Sequence, residues 1–268
     1  MTSKTTDPTP PDSLTPQPPS MPKVNVVTAD DITASLKAGF SDFLARPLMS
    51  GFFGLFYAAF GILLVWCLFS LGQIWMLIAA LVAFPLVAPF ACAGLYEMSR
   101  RREAGEDFGW VDILTVMADQ RKREMGWMAF VTLFVLWVWF YQFRAVLVIV
   151  LQDASFSDVD GFINAVLYTP EGWTFLAIGT CVGAILAAAL FTVTVVAMPL
   201  LLDRNIDFVS AMITSIRVVA QNPVVMLSWA AIITVTMLLS LVPAFLGLIF
   251  TLPILGHTTW HLYQRAET

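Results

Sequence analysis

The sequence predicts an all-α polytopic membrane protein: six transmembrane helices in three parallel pseudo-repeats, each preceded by an amphipathic interfacial helix. Three observations predict it. Of 268 residues, 59% are hydrophobic and 12% charged, with a mean hydropathy of +0.80, whereas a soluble domain is nearer half apolar and a quarter charged. Apolar runs long enough to cross about 30 Å of hydrocarbon recur along the chain. The positive charges fall almost entirely on one side of those runs. This composition excludes an ordinary soluble enzyme, a disordered chain and a nucleic-acid binder.

The elements follow in chain order. Residues 1–22 hold seven of the 15 prolines and no apolar core. Residues 1–27 are expected to be a disordered, Pro-rich tail, because such a segment buries too little surface to offset its ordering entropy. A single membrane domain then covers 28–268. Its spans are expected at Ser50–Ser70, Gln73–Met98, Gly126–Leu151, Trp173–Leu202, Val224–Leu241 and Ala244–His261. The last two come from one long apolar stretch, split at Pro243 because proline breaks a helix interior. Every Lys and Arg except Arg144 falls outside the spans and on one face. The opposite loop, Gln152–Gly172, carries Asp153, Asp158, Asp160 and Glu171 and no positive charge. The positive-inside rule then places both termini in the cytoplasm.

The first and last thirds resemble each other. Asp31 to Pro47 matches Asp207 to Pro223, each an Asp and a Pro sixteen positions apart. Ile32, Leu36, Phe40 and Phe43 line one face of the first helix, and Phe208, Met212, Ile216 and Val219 one face of the second. Each starts near an N-capping Asp. With a polar helix near Val111–Lys122 heading the middle third, the units are read as about 30–102, 107–204 and 207–266. Two spans per unit keep the copies parallel.

Few residues invite a chemical role. Arg144 is the one basic residue within an apolar run, and a charge in a span is costly. It lies about 27 Å along its helix, near the outer interface, so anchoring to water or to an outer-loop Asp is favoured over a substrate site. Gln142 and Tyr141 stand ready to join either arrangement. His257 and His261 share one helix face and suit a metal by spacing, with Cys92 and Glu97 at a similar depth in the matching unit. A pair bonded to carbonyls or headgroups is the favoured reading. Arg100, Arg101, Arg102, Arg121, Lys122 and Arg123 set topology and attract anionic headgroups. Gly179 and Gly183, followed by Ala187, allow close helix approach in the fourth span. No nucleophile elbow, His-Glu-x-x-His, phosphate loop or dinucleotide fingerprint is present. Catalysis and cofactors are therefore not expected.

Three stretches carry a family resemblance: Pro89-Phe-Ala-Cys-Ala-Gly-Leu-Tyr-Glu-Met-Ser-Arg-Arg101; Pro199-Leu-Leu-Leu-Asp-Arg204 with Ala211–Ser215 and Asn222-Pro223; and Leu252-Pro-Ile-Leu-Gly-His-Thr-Thr-Trp-His-Leu-Tyr263. Together, over about residues 30–265, they resemble the bacterial integral membrane proteins grouped as domain of unknown function 2189 (DUF2189). The resemblance implies a bacterial inner-membrane location and brings no activity. The expected role is a non-enzymatic accessory or scaffold protein of a membrane complex, or a lipid-interacting protein, with the bilayer and a membrane protein as partners. The alternative is a small-solute transporter or channel, resting on the repeats, the span prolines and Arg144.

Overall fold

A computed structural model describes residues 24–72, 74–121, 124–152 and 159–267. Its elements are helices: α1 (Ala29–Ala45), α2 (Pro47–Ser70), α3 (Ile74–Ala83), a 3-10 turn (Phe84–Val87), α4 (Ala88–Ala91), α5 (Ala93–Glu103), α6 (Trp110–Arg121), α7 (Met125–Leu151), α8 (Val159–Leu167), α9 (Pro170–Thr194), α10 (Ala197–Asp203), α11 (Phe208–Gln221), α12 (Pro223–Leu241) and α13 (Leu248–Ala266). Local chemistry sets their starts. Thr28 and Asp31 form a capping box on α1, and the Asp207 side chain accepts from the Ser210 amide on α11. Pro47, Pro170 and Pro223 open α2, α9 and α12, where a missing N–H costs nothing. Gly72, at φ +66°, makes the tight turn from α2 to α3.

Among the described residues, four helices are long and apolar enough to cross a membrane: Pro47–Ser70, Met125–Leu151, Pro170–Asp203 (α9 with its continuation α10) and Pro223–Leu241. This overturns the expected six spans in three parallel pseudo-repeats, each with its own interfacial helix. The expected second span, Gln73–Met98, is cut into α3, a 3-10 turn holding Pro85, α4 holding Pro89, and α5. Two prolines four residues apart each remove a helical hydrogen-bond donor, one turn after the other. The expected sixth span, Ala244–His261, starts later, at Leu248, and runs as α13 into Trp260, His261, Tyr263 and Arg265. The turn before it takes Ala244 and Phe245 to φ +49° and +68°. Apolar run length reports burial as readily as lipid exposure, and α13 is buried in protein along most of its length.

α13 is the hub. α1 and α2 lie along it, approaching through glycines. A Cβ at Gly54 would stand 2.5 Å from the Leu248 carbonyl oxygen and 2.7 Å from the Ile249 Cα, and one at Gly39 would meet the Thr258 amide at 2.6 Å. The buried face of α1 is therefore Ile32, Ser35, Gly39, Asp42 and Phe43, while Phe40 and Leu44 of its apolar stripe are exposed. α11 behaves alike: it buries Ala211, Thr214, Ser215, Val218 and Val219 and leaves Ile216 exposed. Small residues face protein because they let backbones close in. Ser215 also repairs the break between α9 and α10. Its hydroxyl donates to the Thr192 carbonyl at 2.7 Å and accepts from the Val196 amide at 3.2 Å.

A second cluster joins α3, α7, α8 and α9. Trp139 donates from Nε1 to the Ala79 carbonyl at 3.0 Å, and its ring fills the space a Cβ on Gly183 would need. Gly183 thus receives an aromatic ring, while nothing lies within 4 Å of a Cβ on Gly179. Phe162 and Val166 of α8 are buried beside Phe175 and Phe143. Within residues 24–27, expected in the tail, Val26 is exposed but Val27 is buried, and its amide donates to Asn222 Oδ1 at 2.8 Å. Residues 1–23 lie outside the described residues.

Candidate functional site

Polar side chains converge where α1, α2 and α5 meet α13. Asp42 comes from α1, Ser50 from α2, Ser99, Arg102 and Glu103 from α5, and His257 and His261 from α13. His257 has no exposed surface. Its Nε2 lies 3.0 Å from Ser50 Oγ and its Nδ1 2.7 Å from Ser99 Oγ. The Ser99 hydroxyl donates to Asp42 Oδ2 at 2.5 Å, so Ser99 accepts from His257 Nδ1–H. Nε2 is then the acceptor for Ser50, and the ring is neutral. Burial pushes its pKa down to about 4, against the pull of Asp42.

His261 is the opposite case. Its Nε2 lies 2.8 Å from Asp42 Oδ2 and its Nδ1 2.9 Å from Glu103 Oε1. Burial works against the charge, but the bonds to Asp42 and Glu103 prevail and raise the pKa to about 9. Burial would likewise raise the Asp42 carboxyl, yet hydrogen bonds from His261 and Ser99 hold it below the ordinary value. Arg102 completes the balance by pairing with Asp42. Two cations thus face two carboxylates, and Trp260 Nε1 donates to Glu103 Oε2 at 2.8 Å. The chain Ser50–His257–Ser99–Asp42 has the connectivity of a nucleophile relay. Ser50 and His257 are completely buried, and the circuit joins α2, α13, α5 and α1.

The two histidines singled out by sequence therefore do meet, through Asp42. Each ring nitrogen already faces a hydroxyl or carboxylate. Among the described residues no group of three His, Cys, Asp or Glu is arranged to hold a metal ion. Glu97 accepts from Arg100 at 2.7 Å and Arg101 at 2.6 Å, and burial opposes while these two cations hold its carboxyl low. Arg100, Arg101 and Arg102 are thus all tied to buried carboxylates. Arg121 ends α6, and Lys122 and Arg123 lie outside the described residues, as do Asp153 and Asp158. On α7, Arg144 is half-buried and engaged, Tyr141 is exposed against the Trp137 ring at 4.6 Å, and the Gln142 amide is buried without a hydrogen-bond partner. None of these three lines either cavity described below.

Sequence reasoning missed Asp42, Ser50, Ser99 and Glu103. One signal was available: Asp42 lies three residues after Gly39 on the small-residue face of α1, where a charge needs a partner.

On the other side of α13 lies an apolar cavity of about 400 Å³ between α9, α12, α13 and α4. Ala187, Ala188 and Phe191 form one wall, Ala230 and Ile233 a second, and Leu252 and Leu255 the floor. Cys92, Tyr96, Thr194, Thr234 and Thr259 add its few polar atoms, and no charged side chain lines it. Ala184, Ala231 and Val235 are exposed, so the cavity opens sideways between α9 and α12, two membrane-spanning helices. A second, polar cavity lies beside Arg46 and Arg102.

No curated protein and no solved structure matches the chain. One family does, and the matched stretch is narrower than the resemblance read from sequence, running from α3 to the end of α10 and leaving out the stretch around His257 and His261. The protein is a multi-pass integral membrane protein that matches, over residues 75–203, the family of predicted integral membrane proteins DUF2189.

Proposed function

We propose that the protein is a non-enzymatic lipid-interacting membrane protein that takes the apolar part of a lipid into the cavity between α9, α12 and α13. One observation carries this reading: the cavity is lined mainly by apolar side chains, carries no charged side chain among the described residues, and opens sideways between two membrane-spanning helices. Its polar lining is limited to Cys92, Tyr96, Thr194, Thr234 and Thr259. Passage of a polar solute is the weaker reading, because the wall offers nothing to replace a solute's water. The positive charges support a bacterial inner-membrane orientation with both termini cytoplasmic. Arg102, Arg204 and Arg265 are gathered at the same end of the molecule as Asp42, Glu267 and Asp31.

The test is the lipid that purifies with the protein. Ala188→Trp and Ala231→Trp fill the cavity from opposite walls. Wild type is expected to retain tightly held lipid through gel filtration in mild detergent, and each variant to lose most of it while keeping its elution volume. Equal lipid in all three proteins would contradict the reading.

A further inference from the structure

The second cavity has different chemistry. It holds about 370 Å³ at the junction of α1 and α2, and its charged lining comprises Arg46, Arg102, Glu106 and Asp107. Arg46 immediately precedes Pro47, the first residue of a membrane-spanning helix. The pocket therefore lies where headgroups lie. Below it the surface turns apolar: Leu48 is 87% exposed, and Phe52 is exposed with its ring edge-on to Trp110 at 5.0 Å. Trp at this level is the usual marker of the interface.

Arg46 is held loosely for a pocket cation. Its guanidinium lies 4.8 Å over the Phe108 ring, donates to the Phe108 carbonyl at 3.2 Å and pairs with Asp107 at 2.9 Å. The Asp107 side chain is 95% exposed, so that pair is worth little and yields to a better anion. A phosphate matches the guanidinium fork bidentately. Arg102, anchored on Asp42 and Ser41, also lines the pocket and supplies a second guanidinium.

The lining is balanced in sign. Two guanidiniums attract a phosphate, and once Arg46 turns to it, Asp107 loses its partner and, with Glu106, is open to a cation. A headgroup bearing only negative charge meets these two carboxylates as repulsion. A headgroup with both a phosphate and a primary ammonium satisfies all four residues. We propose that this pocket binds the zwitterionic headgroup of an ethanolamine-type phospholipid, with the phosphate between Arg46 and Arg102, the ammonium at Glu106 and Asp107, and an acyl chain along Leu48 and Phe52. The site is separate from the apolar cavity and stands whether or not that cavity holds a chain.

The experiment uses the full chain in mild detergent, titrated with phosphatidylethanolamine or phosphatidylglycerol and read by native mass spectrometry. Wild type is expected to favour the ethanolamine lipid about fivefold, the worth of one exposed charge pair. Arg46→Gln is expected to weaken both lipids. The double variant Glu106→Gln, Asp107→Asn, at two exposed positions, is expected to erase or invert the preference while leaving the protein folded. Ala188→Trp is expected to leave it intact. Equal binding of the two lipids by wild type overturns the proposal, as does an unchanged preference in the double variant. Loss of the preference in Ala188→Trp assigns it to the apolar cavity and also overturns the proposal. Displacement of the lipid by millimolar inorganic phosphate, but not by chloride at equal ionic strength, makes the pocket a free-anion site and overturns it too.

Discussion

Two histidines one helical turn apart carry opposite charge states, and their surroundings explain why. His257 meets only hydroxyls at both ring nitrogens and is buried, so it stays neutral. His261 meets a carboxylate at each nitrogen, so it holds its proton. The signs then fix the pH dependence. The folded-state pKa of His261 is raised from 6.5 to about 9, so its contribution is complete below 6.5 and lost as pH climbs through 9. His257 is depressed from 6.5 to about 4, so stability also falls as pH drops below 6.5 and the unfolded chain takes up the proton. Thermal unfolding in detergent is expected to peak near neutral to slightly acid pH. His261→Gln is expected to flatten the alkaline limb selectively and leave the acid limb in place. An alkaline limb as steep in that variant as in wild type would refute the assignment of charge to His261. The histidine pair was legible in the sequence by its spacing. Its partners were not, because Asp42, Ser50 and Ser99 arrive from three other helices, and no local pattern reports a contact between positions 42 and 261.

At the level of the elements, helix starts were more legible than helix roles. Pro47, Pro223 and Asp207 marked real boundaries because proline and capping side chains act locally. The buried faces were legible only in part: Ile32, Phe43 and Val219 of the apolar stripes are buried. α1 and α11 turn Ser35, Gly39, Ala211 and Ser215 inward and leave part of their apolar stripes outside. In water the apolar stripe would be the core, but lipid is as apolar as leucine and removes that preference. Close approach of small residues decides instead, and Gly54 is the sharpest case. Gly54→Leu must push α2 away from the α13 backbone, not merely from a side chain. It is expected to cost about 1–3 kcal/mol, the usual range for overpacking, or several degrees in the unfolding midpoint. Gly179→Leu, where a Cβ meets nothing within 4 Å, is the matched control and is expected to be near neutral. Similar losses at both positions would mean that α2 and α13 do not touch as described.

For the molecule as a whole, composition established membrane residence, and the family match agrees. The count of spans did not survive. Hydropathy added up apolar residues without regard to Pro85 and Pro89, which break one segment, or to the protein that surrounds α13. The cavity was invisible in the sequence for a related reason. Its walls are alanines, threonines and larger apolar residues from α9 and α12, which attract no attention until two helices are seen to stand apart. The proposed function requires that this gap hold lipid. The most direct measurement is photo-crosslinking with a phospholipid whose acyl chain carries a diazirine, followed by mapping of the labelled peptides. Label is expected on the inward residues Ala188, Ile233 and Leu255, and is expected to fall sharply in Ala231→Trp while label on outward Phe56 and Leu63 persists. Label confined to the outward residues, or inward label that Ala231→Trp leaves unchanged, would contradict the claim.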